Sequence, residues 1–181
     1  MGNFKISLKN TLEKEGLFSN IKGDKGGATK FGIIESVARS HGYSGLMQDL
    51  TIEQAESIYF QDYWTPLKLD MFDQLISDEM FDTAVNQGTG TAAKYLQTSL
   101  NRLNNNQKLY KDIVVDGAIS QTGETVQAYN SYMKSHEKYG KTAVTVLLKA
   151  LTICQGERYN LIVDKDNTQE MFYFGWLSHR I

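Results

Sequence analysis

The stretch of sequence that decides the fold is LEKEGLFSNIKGDKGGATKFGII, which runs from Leu12 to Ile34. It joins the end of a helical pattern to a polar, glycine-rich bend and then returns to apolar sequence. Phe4, Leu8 and Leu12 recur at intervals of four residues, so they form one face of a predicted helix. Glu15 follows Leu12 by three residues, and this spacing places its carboxylate on the same apolar face.

Glu15 is therefore the first candidate for chemistry. A carboxylate on the buried-facing side of a helix end is costly to ionise, and desolvation there is expected to raise its pKa. A general acid that works near neutral pH needs such a raised pKa. Gly16 is expected to end the helix directly after it. The alternative is a last-turn glutamate that pairs with a lysine or arginine elsewhere.

The glycine-rich bend carries two further candidates, Asp24 and Thr29. Glycines at positions 23, 26 and 27 permit a tight reversal that turns both side chains toward the helix end. A carboxylic acid, a second carboxylate and a hydroxyl that face one cleft are the minimum set for hydrolysis of a glycosidic bond. The alternative for Asp24 is an ion pair with Lys22, Lys25 or an arginine that only holds the loop in shape.

Glu15 and Gly16 are followed, after six residues, by the pattern GDxGGATxFGI. This combination resembles the N-acetylmuramidase family of phage lysins and bacteria, glycoside hydrolase family 108. The matching positions are Glu15, Gly16, Asp24, Gly26, Gly27, Thr29, Gly32 and Ile33. Leu17 and Phe18 stand where the family usually has glycine and tyrosine, and Lys25 replaces a frequent proline. These departures fall at packing and loop positions, so the resemblance keeps the acid–base residues intact.

The resemblance extends along the chain. The segment FDTAVNQG, from Phe81 to Gly88, is similar to the second helical motif of the family. The residues from Asn101 onward resemble a small C-terminal module described as a predicted peptidoglycan-binding domain, which closes on GWLxxR at Gly175–Arg180. The resemblance implies a mainly α protein. A lysozyme-like domain at 1–100, with a glycine-rich loop or hairpin at the active site, is expected to pack against a helical module at 101–181.

The resemblance also implies an activity. The protein would cleave the β-1,4 bond between N-acetylmuramic acid and N-acetylglucosamine in peptidoglycan glycan strands. Glu15 would protonate the glycosidic oxygen, Asp24 would stabilise the oxocarbenium charge or orient water, and Thr29 would help to hold that water. The eight-residue spacer between Glu15 and Asp24 fits an inverting or a retaining reaction, and analogy to lysozymes favours inversion. No metal or organic cofactor is implied.

Five more residues are candidates for substrate binding. Asn86 and Gln87 have amides that suit sugar hydroxyl or acetamido groups, although they suit the capping of a helix end equally well. Tyr63 and Trp64 can stack on a sugar face or pack in the core before a proline. Phe31 is expected to form a wall of the cleft rather than to contact the ligand directly.

Apolar spacing predicts helix along most of the remaining chain. The predicted helices cover residues 33–41, 51–63, 77–87, 91–103, 122–133, 142–163 and 168–181. Thr51 and Gln54 form a capping-box pattern at the start of the second of these. The asparagines at 104–106 are the best candidate for a domain boundary.

Composition bounds the function. The chain has 181 residues, 41% hydrophobic and 22% charged, with a net charge of −2, which is typical of a globular domain and indicates no nucleic-acid partner. No apolar run approaches the roughly 20 residues of a membrane span. The first ten residues lack a signal-peptide pattern, so an enzyme of the periplasm or cell wall would need phage-encoded release or a leader absent from this sequence. A monomer is expected.

Cysteine and histidine usage argues against other chemistry. Cys154 is the single cysteine and lies in an apolar helical run, so a buried structural thiol is expected. His41, His136 and His179 are far apart and form no metal-binding motif.

Two other classes of function compete with the hydrolase. One is a non-catalytic cell-wall-binding or secretion-accessory protein that keeps the fold, and against it stands the joint presence of Glu15, Asp24 and Thr29. The other is an interaction protein that uses exposed aromatic residues, and no specific sequence feature supports this alternative.

Overall fold

The structure is a computed structural model that describes residues 1–15, 18–19 and 28–180, with side chains at 1–11 and 28–180. The helices are α1 Phe4–Glu15, α2 Glu35–Ser40, α3 Ile52–Tyr59, α4 Gln74–Gln87, α5 Thr89–Leu103, α6 Glu124–Ser135, α7 Lys141–Lys165 and α8 Glu170–Arg180. Three two-residue strands are β1 Phe18–Ser19, β2 Thr29–Lys30 and β3 Ile33–Ile34. The prediction of a mainly α protein with a small hairpin is confirmed.

The strands form one antiparallel sheet in the order β1-β2-β3. Thr29 pairs with Ser19 on one side and with Ile34 on the other. This pairing explains why α2 starts later than predicted, whereas α4 starts earlier than predicted, at Gln74 rather than at Ser77. Ile33 and Ile34 were expected to begin a helix, but they complete the hairpin, and α2 begins only at Glu35.

Local capping sets the starts of α3 and α4. The backbone N–H of Gln54 donates to Thr51 Oγ1 at 3.3 Å, and Gln54 Oε1 accepts from the backbone N–H of Thr51 at 2.9 Å, so the predicted capping box is confirmed. Asp73 Oδ1 caps α4 by accepting from the N–H of Leu75 at 3.1 Å. These side chains satisfy backbone donors that a helix start otherwise leaves unpaired.

A π-helical turn, Phe60–Trp64, follows α3 without a break. The extra residue in such a turn rotates the side chains that follow it relative to a continuous α-helix. As a result Trp64 points into the protein, where it is 3% exposed. Its ring contacts those of Phe4 and Phe81 at centroid distances of 5.6 and 5.9 Å.

The hydrophobic core runs through both halves of the chain. Helices α4, α5 and α7 pack on one another at its centre. Phe81, Leu96 and Leu147, one from each helix, are all fully buried. One continuous core means that the C-terminal helices hold the N-terminal region directly.

Helix α1 packs along α4 in the same chain direction. The backbone N–H of Asn3 donates to Gln74 Oε1 at 2.7 Å, and one turn later Ser7 Oγ donates to Asp78 Oδ1. Gln74 Nε2 bridges Ser7 Oγ and Asp78 Oδ1 at 3.1 and 2.6 Å. A side chain at Gly2 would lie 2.4 Å from Leu69 O, before α4, and 2.4 Å from Ser77 Oγ in α4, so the chain just before α1 approaches this region too closely for any larger residue. These contacts fix how far α1 slides along α4.

A buried ion pair ties the last helix to the centre of the core. Arg180 Nη1 of α8 donates to Asp82 Oδ1 of α4 at 2.7 Å, with side chains 13% and 7% exposed. The two residues are 98 positions apart, so this contact closes the C-terminal end of the chain onto the first half.

Replacing Arg180 by methionine is expected to lower the free energy of unfolding by about 3 kcal/mol, because it leaves the buried Asp82 carboxylate without this cation. Arg102→Met is the matched control, since Arg102 and Glu157 form a surface pair at 3.7 Å with side chains more than half exposed. That control is expected to cost under about 1 kcal/mol. Urea unfolding of both variants makes the comparison, and equal effects would contradict a buried role for Arg180.

Candidate active site

The ends of α1 and α4 lie level with each other. From the contact between Ser7 and Asp78, α1 continues for eight residues to Glu15 and α4 for nine residues to Gln87. At 1.5 Å per residue both helices advance by about 12–14 Å in the same direction. The backbone at the end of α1 is therefore brought alongside the carboxyl end of α4.

The structure describes the three predicted catalytic residues to different extents. The backbone of Glu15 ends α1, but its side chain lies outside the described residues, and so does the whole of Asp24. Thr29 lies in the central strand β2 and is half-buried. The catalytic roles of these residues stay predictions.

A hydrogen bond from α3 holds the turn between β2 and β3 in place. The backbone of Phe31 has a φ of +52°, in the left-handed region that larger residues rarely adopt. Tyr59, 1% exposed, donates from its hydroxyl to Phe31 O at 2.9 Å. Lys30 extends over the Phe31 ring and donates to Gln48 O. The half-buried Phe31 side chain thus lies on a supported turn, and its role as a wall of the cleft stays a prediction.

Tyr63 and Trp64 occupy different environments. The Tyr63 ring is half-buried beside Tyr59 at a centroid distance of 5.7 Å, and burial, together with the negative charge of Asp62, raises its pKa. Trp64 lies in the aromatic core, the alternative that the sequence left open. Its ring has no exposed face on which a sugar can stack, so we do not retain it as a substrate contact.

Asn86 and Gln87 also differ. Asn86 is exposed on the last turn of α4. Gln87 is half-buried, and its Oε1 accepts from the hydroxyl of Tyr95 at 2.8 Å. Gly88, with a φ of +91°, ends the helix, and neither amide side chain caps it. Asn86 is thus the amide of the pair that is available to a ligand.

Long-range contacts supply residues that the sequence analysis did not find. The bond from the Tyr59 hydroxyl to the turn has no local sequence signal. The contact between Ser7 and Asp78, which sets the position of α1, has none either. The structure shows that Ser7 and Thr11 are both buried on one face of α1, and Glu15 is the next residue at the same spacing of four.

Two other features of the described chain bear on its chemistry. No cluster of three or more potential metal ligands occurs among the residues with described side chains. A polar cavity of about 430 Å³ is lined by His41, Tyr43 and residues of α3. Gln54 and Ser57 line it, and Tyr59 does not, so this cavity is separate from the supported turn.

Cys154 is buried, as the sequence predicted, with its Sγ 3.8 Å from Ser99 Oγ. Within the described ranges, none of the helices has the length and apolar character needed to cross a bilayer.

Comparison with known proteins identifies two regions. The model of the glycosyl hydrolase 108 family matches residues 8–88, and that of a predicted peptidoglycan domain matches residues 91–181. The two matches divide the chain between α4 and α5, whereas our predicted division at residue 100 stays a prediction. No curated protein matches the chain significantly.

Among solved structures, SagA of Brucella abortus is similar to this chain, with a TM-score of 0.68 and 22% sequence identity. The likeness covers 98% of this chain and 88% of that chain. At this level of identity it shows a shared fold across both regions.

Replacing Tyr59 by phenylalanine removes the bond to Phe31 O and is expected to cost about 1–2 kcal/mol of stability, because a carbonyl near the buried ring loses its donor. Amide hydrogen exchange at residues 29–34 should accelerate. Tyr63→Phe is the control, since the structure gives its hydroxyl no such bond to the turn. Equal exchange at 29–34 in both variants would show that Tyr59 does not support the turn.

Proposed function

We propose that the chain is a lysozyme-type N-acetylmuramidase, because residues 8–88 match the glycosyl hydrolase 108 family and residues 91–181 match a predicted peptidoglycan domain. The two matches support a glycoside hydrolase that acts on peptidoglycan. The proposal adds the bond, which is the β-1,4 linkage from N-acetylmuramic acid to N-acetylglucosamine, and the acid, which is Glu15. It also places the action outside the cytoplasm, at the cell wall.

The observation that supports Glu15 best is the register of α1 on α4. Ser7 and Thr11 are 1% and 2% exposed, and Glu15 is the next position at the same spacing. That spacing predicts that residue 15 faces α4 rather than solvent. Asn86 is exposed on the last turn of α4, so the proposal brings an acid and an amide to one rim.

The proposed mechanism is an acid-assisted displacement by water. Glu15 in its protonated form donates its proton to the glycosidic oxygen, and the bond to the anomeric carbon breaks as that oxygen leaves. Asp24 acts as a base that takes a proton from the incoming water, whose oxygen bonds to the anomeric carbon. Thr29, fixed in the central strand by its two neighbours, holds that water through its hydroxyl. Asn86 binds a hydroxyl or acetamido group and orients the sugar.

The supported turn gives the cleft a rigid wall. Phe31 and Tyr63 both offer partly exposed aromatic surface, and Tyr59 connects them through its hydroxyl and its ring. A rigid wall matters because a reaction of this kind tolerates little displacement of the sugar from the acid.

Glu15→Gln is expected to lower the rate of peptidoglycan cleavage at least about 100-fold, because the amide cannot donate the proton that a general acid supplies. Mass spectrometry of the fragments should find reducing-end N-acetylmuramic acid with the wild type only. Glu13→Gln is the matched control, since helical spacing turns position 13 away from the apolar face, and it should cleave at the wild-type rate. Cleavage by Glu15→Gln would assign the acid elsewhere. Binding of peptidoglycan without cleavage by the wild type would indicate a binding protein instead.

An inverting reaction is expected, with water attacking from the face opposite the leaving group, and the first product is then the α-anomer. Proton NMR during digestion by a large amount of enzyme observes the anomer before it equilibrates. A β-anomer as first product would mean retention and would make Asp24 a nucleophile, with the two carboxyl groups only about 5–5.5 Å apart.

A further inference from the structure

A second cavity lies where the two matched regions meet, at the turn that joins α6 to α7. Its volume is about 490 Å³, which is within the usual range for a ligand site. Asp73, at the start of α4, forms one side of this junction cavity, and the α6–α7 turn forms the other. The lining residues are Asp73, Met133, Lys134, Glu137, Gly140, Lys141 and Val144.

The walls of the junction cavity are held rigidly together. The hydroxyl of Tyr129 in α6 accepts a hydrogen bond from the backbone N–H of Asp73 at 2.9 Å. The Tyr129 ring packs edge-on against Phe72, with ring centroids 4.9 Å apart. Tyr129 is buried, so this contact fixes Asp73 relative to α6 before any ligand binds.

The charged side chains at the junction cavity form few ion pairs or hydrogen bonds with described residues. Lys134, Glu137 and Lys141 are exposed, and their side chains form no ion pair or hydrogen bond with other described residues. Asp73 uses one carboxylate oxygen, Oδ1, to cap α4, and the other accepts from no described residue. Two cations and two carboxylates therefore surround one concave surface.

The floor between these charges is apolar. Val144 is buried and Met133 is half-buried, so the cavity offers a non-polar contact beneath a charged rim. A ligand that fits needs short aliphatic groups and charges of both signs. Two carboxylates at the rim disfavour a phosphate polymer, and a neutral sugar would leave the charges of the rim without ionic partners.

We propose that the junction cavity binds a short peptide that carries at least two carboxylates and one ammonium group, the chemistry of the peptide stems of peptidoglycan. Lys134 and Lys141 each contact a ligand carboxylate, Glu137 or Asp73 contacts the ammonium group, and methyl or methylene groups lie on Met133 and Val144. This inference rests on the proposed function, because peptide stems hang from the glycan that the enzyme would cut.

Such a site would make the enzyme prefer glycan that still carries its peptides. The peptide would hold the polymer at a point fixed to the start of α4, while the cleft lies toward the other end of the same helix. Because α4 is rigid, peptide binding at one end sets the position of the glycan at the other.

The test measures binding of the tripeptide L-alanyl-γ-D-glutamyl-meso-diaminopimelic acid to the full chain by calorimetry or by NMR titration. The double variant K134A/K141A should weaken binding about tenfold, since two exposed charge pairs are lost. K138A/K149A is the matched control. It removes the same charge from lysines that do not line the cavity, one of which lies over the Tyr139 ring. The control should bind within about twofold of the wild type.

Absence of tripeptide binding by the wild type would overturn the inference, and so would equal binding by K134A/K141A and the wild type. Cleavage of glycan strands stripped of peptides by an amidase separates this result from the proposed function. If the wild type cleaves stripped strands but does not bind the tripeptide, the muramidase activity is supported and the peptide site is contradicted. If tripeptide binding depends on Lys134 and Lys141 but no strand is cleaved, the peptide site is supported and the muramidase activity is contradicted.

Discussion

The contact between α1 and α4 is the constraint on which the rest of the molecule depends. Hydrogen bonds from Asn3 and Ser7 to the first turns of α4 set the register, and Phe4 closes the same interface against Phe81 at a centroid distance of 5.9 Å. A shift of α1 by one residue would turn Ser7 and Thr11 out of that interface, because successive residues of a helix differ by about 100° in direction. The level at which α1 ends, and with it the position of Glu15, follows from this register.

The C-terminal helices contribute to the same constraint. Helix α4 lies between α1 on one side and α5 and α7 on the other, so its position is determined by both halves of the chain. The ion pair between Arg180 and Asp82 reaches α4 one turn beyond Asp78, where α1 still packs. The predicted peptidoglycan region therefore supports the helix that carries Asn86, at the rim of the proposed cleft, besides any role in binding the polymer.

Sequence reasoning succeeded where the signal is local. The capping box at Thr51 and the apolar face that contains Leu8 depend on residues within one or two turns, and both appear in the structure. It failed where distant parts of the chain decide. Ile33 and Ile34 fit a helical pattern, yet pairing with β2 extends them. For Trp64 the sequence left a sugar platform and the core both open, and only the structure shows that it lies in the core. The ion pair of Arg180 had no local pattern at all.

The most direct test of the account is a crystal structure of the Glu15→Gln variant with a bound tetrasaccharide of alternating N-acetylglucosamine and N-acetylmuramic acid. We expect the scissile glycosidic oxygen to lie about 3 Å from the residue 15 side chain, within hydrogen-bond reach. Asn86 should contact a sugar, and the Phe31 ring should border the chain. A tetrasaccharide bound away from the ends of α1 and α4, for instance in the cavity beside His41 and Tyr43, would contradict it.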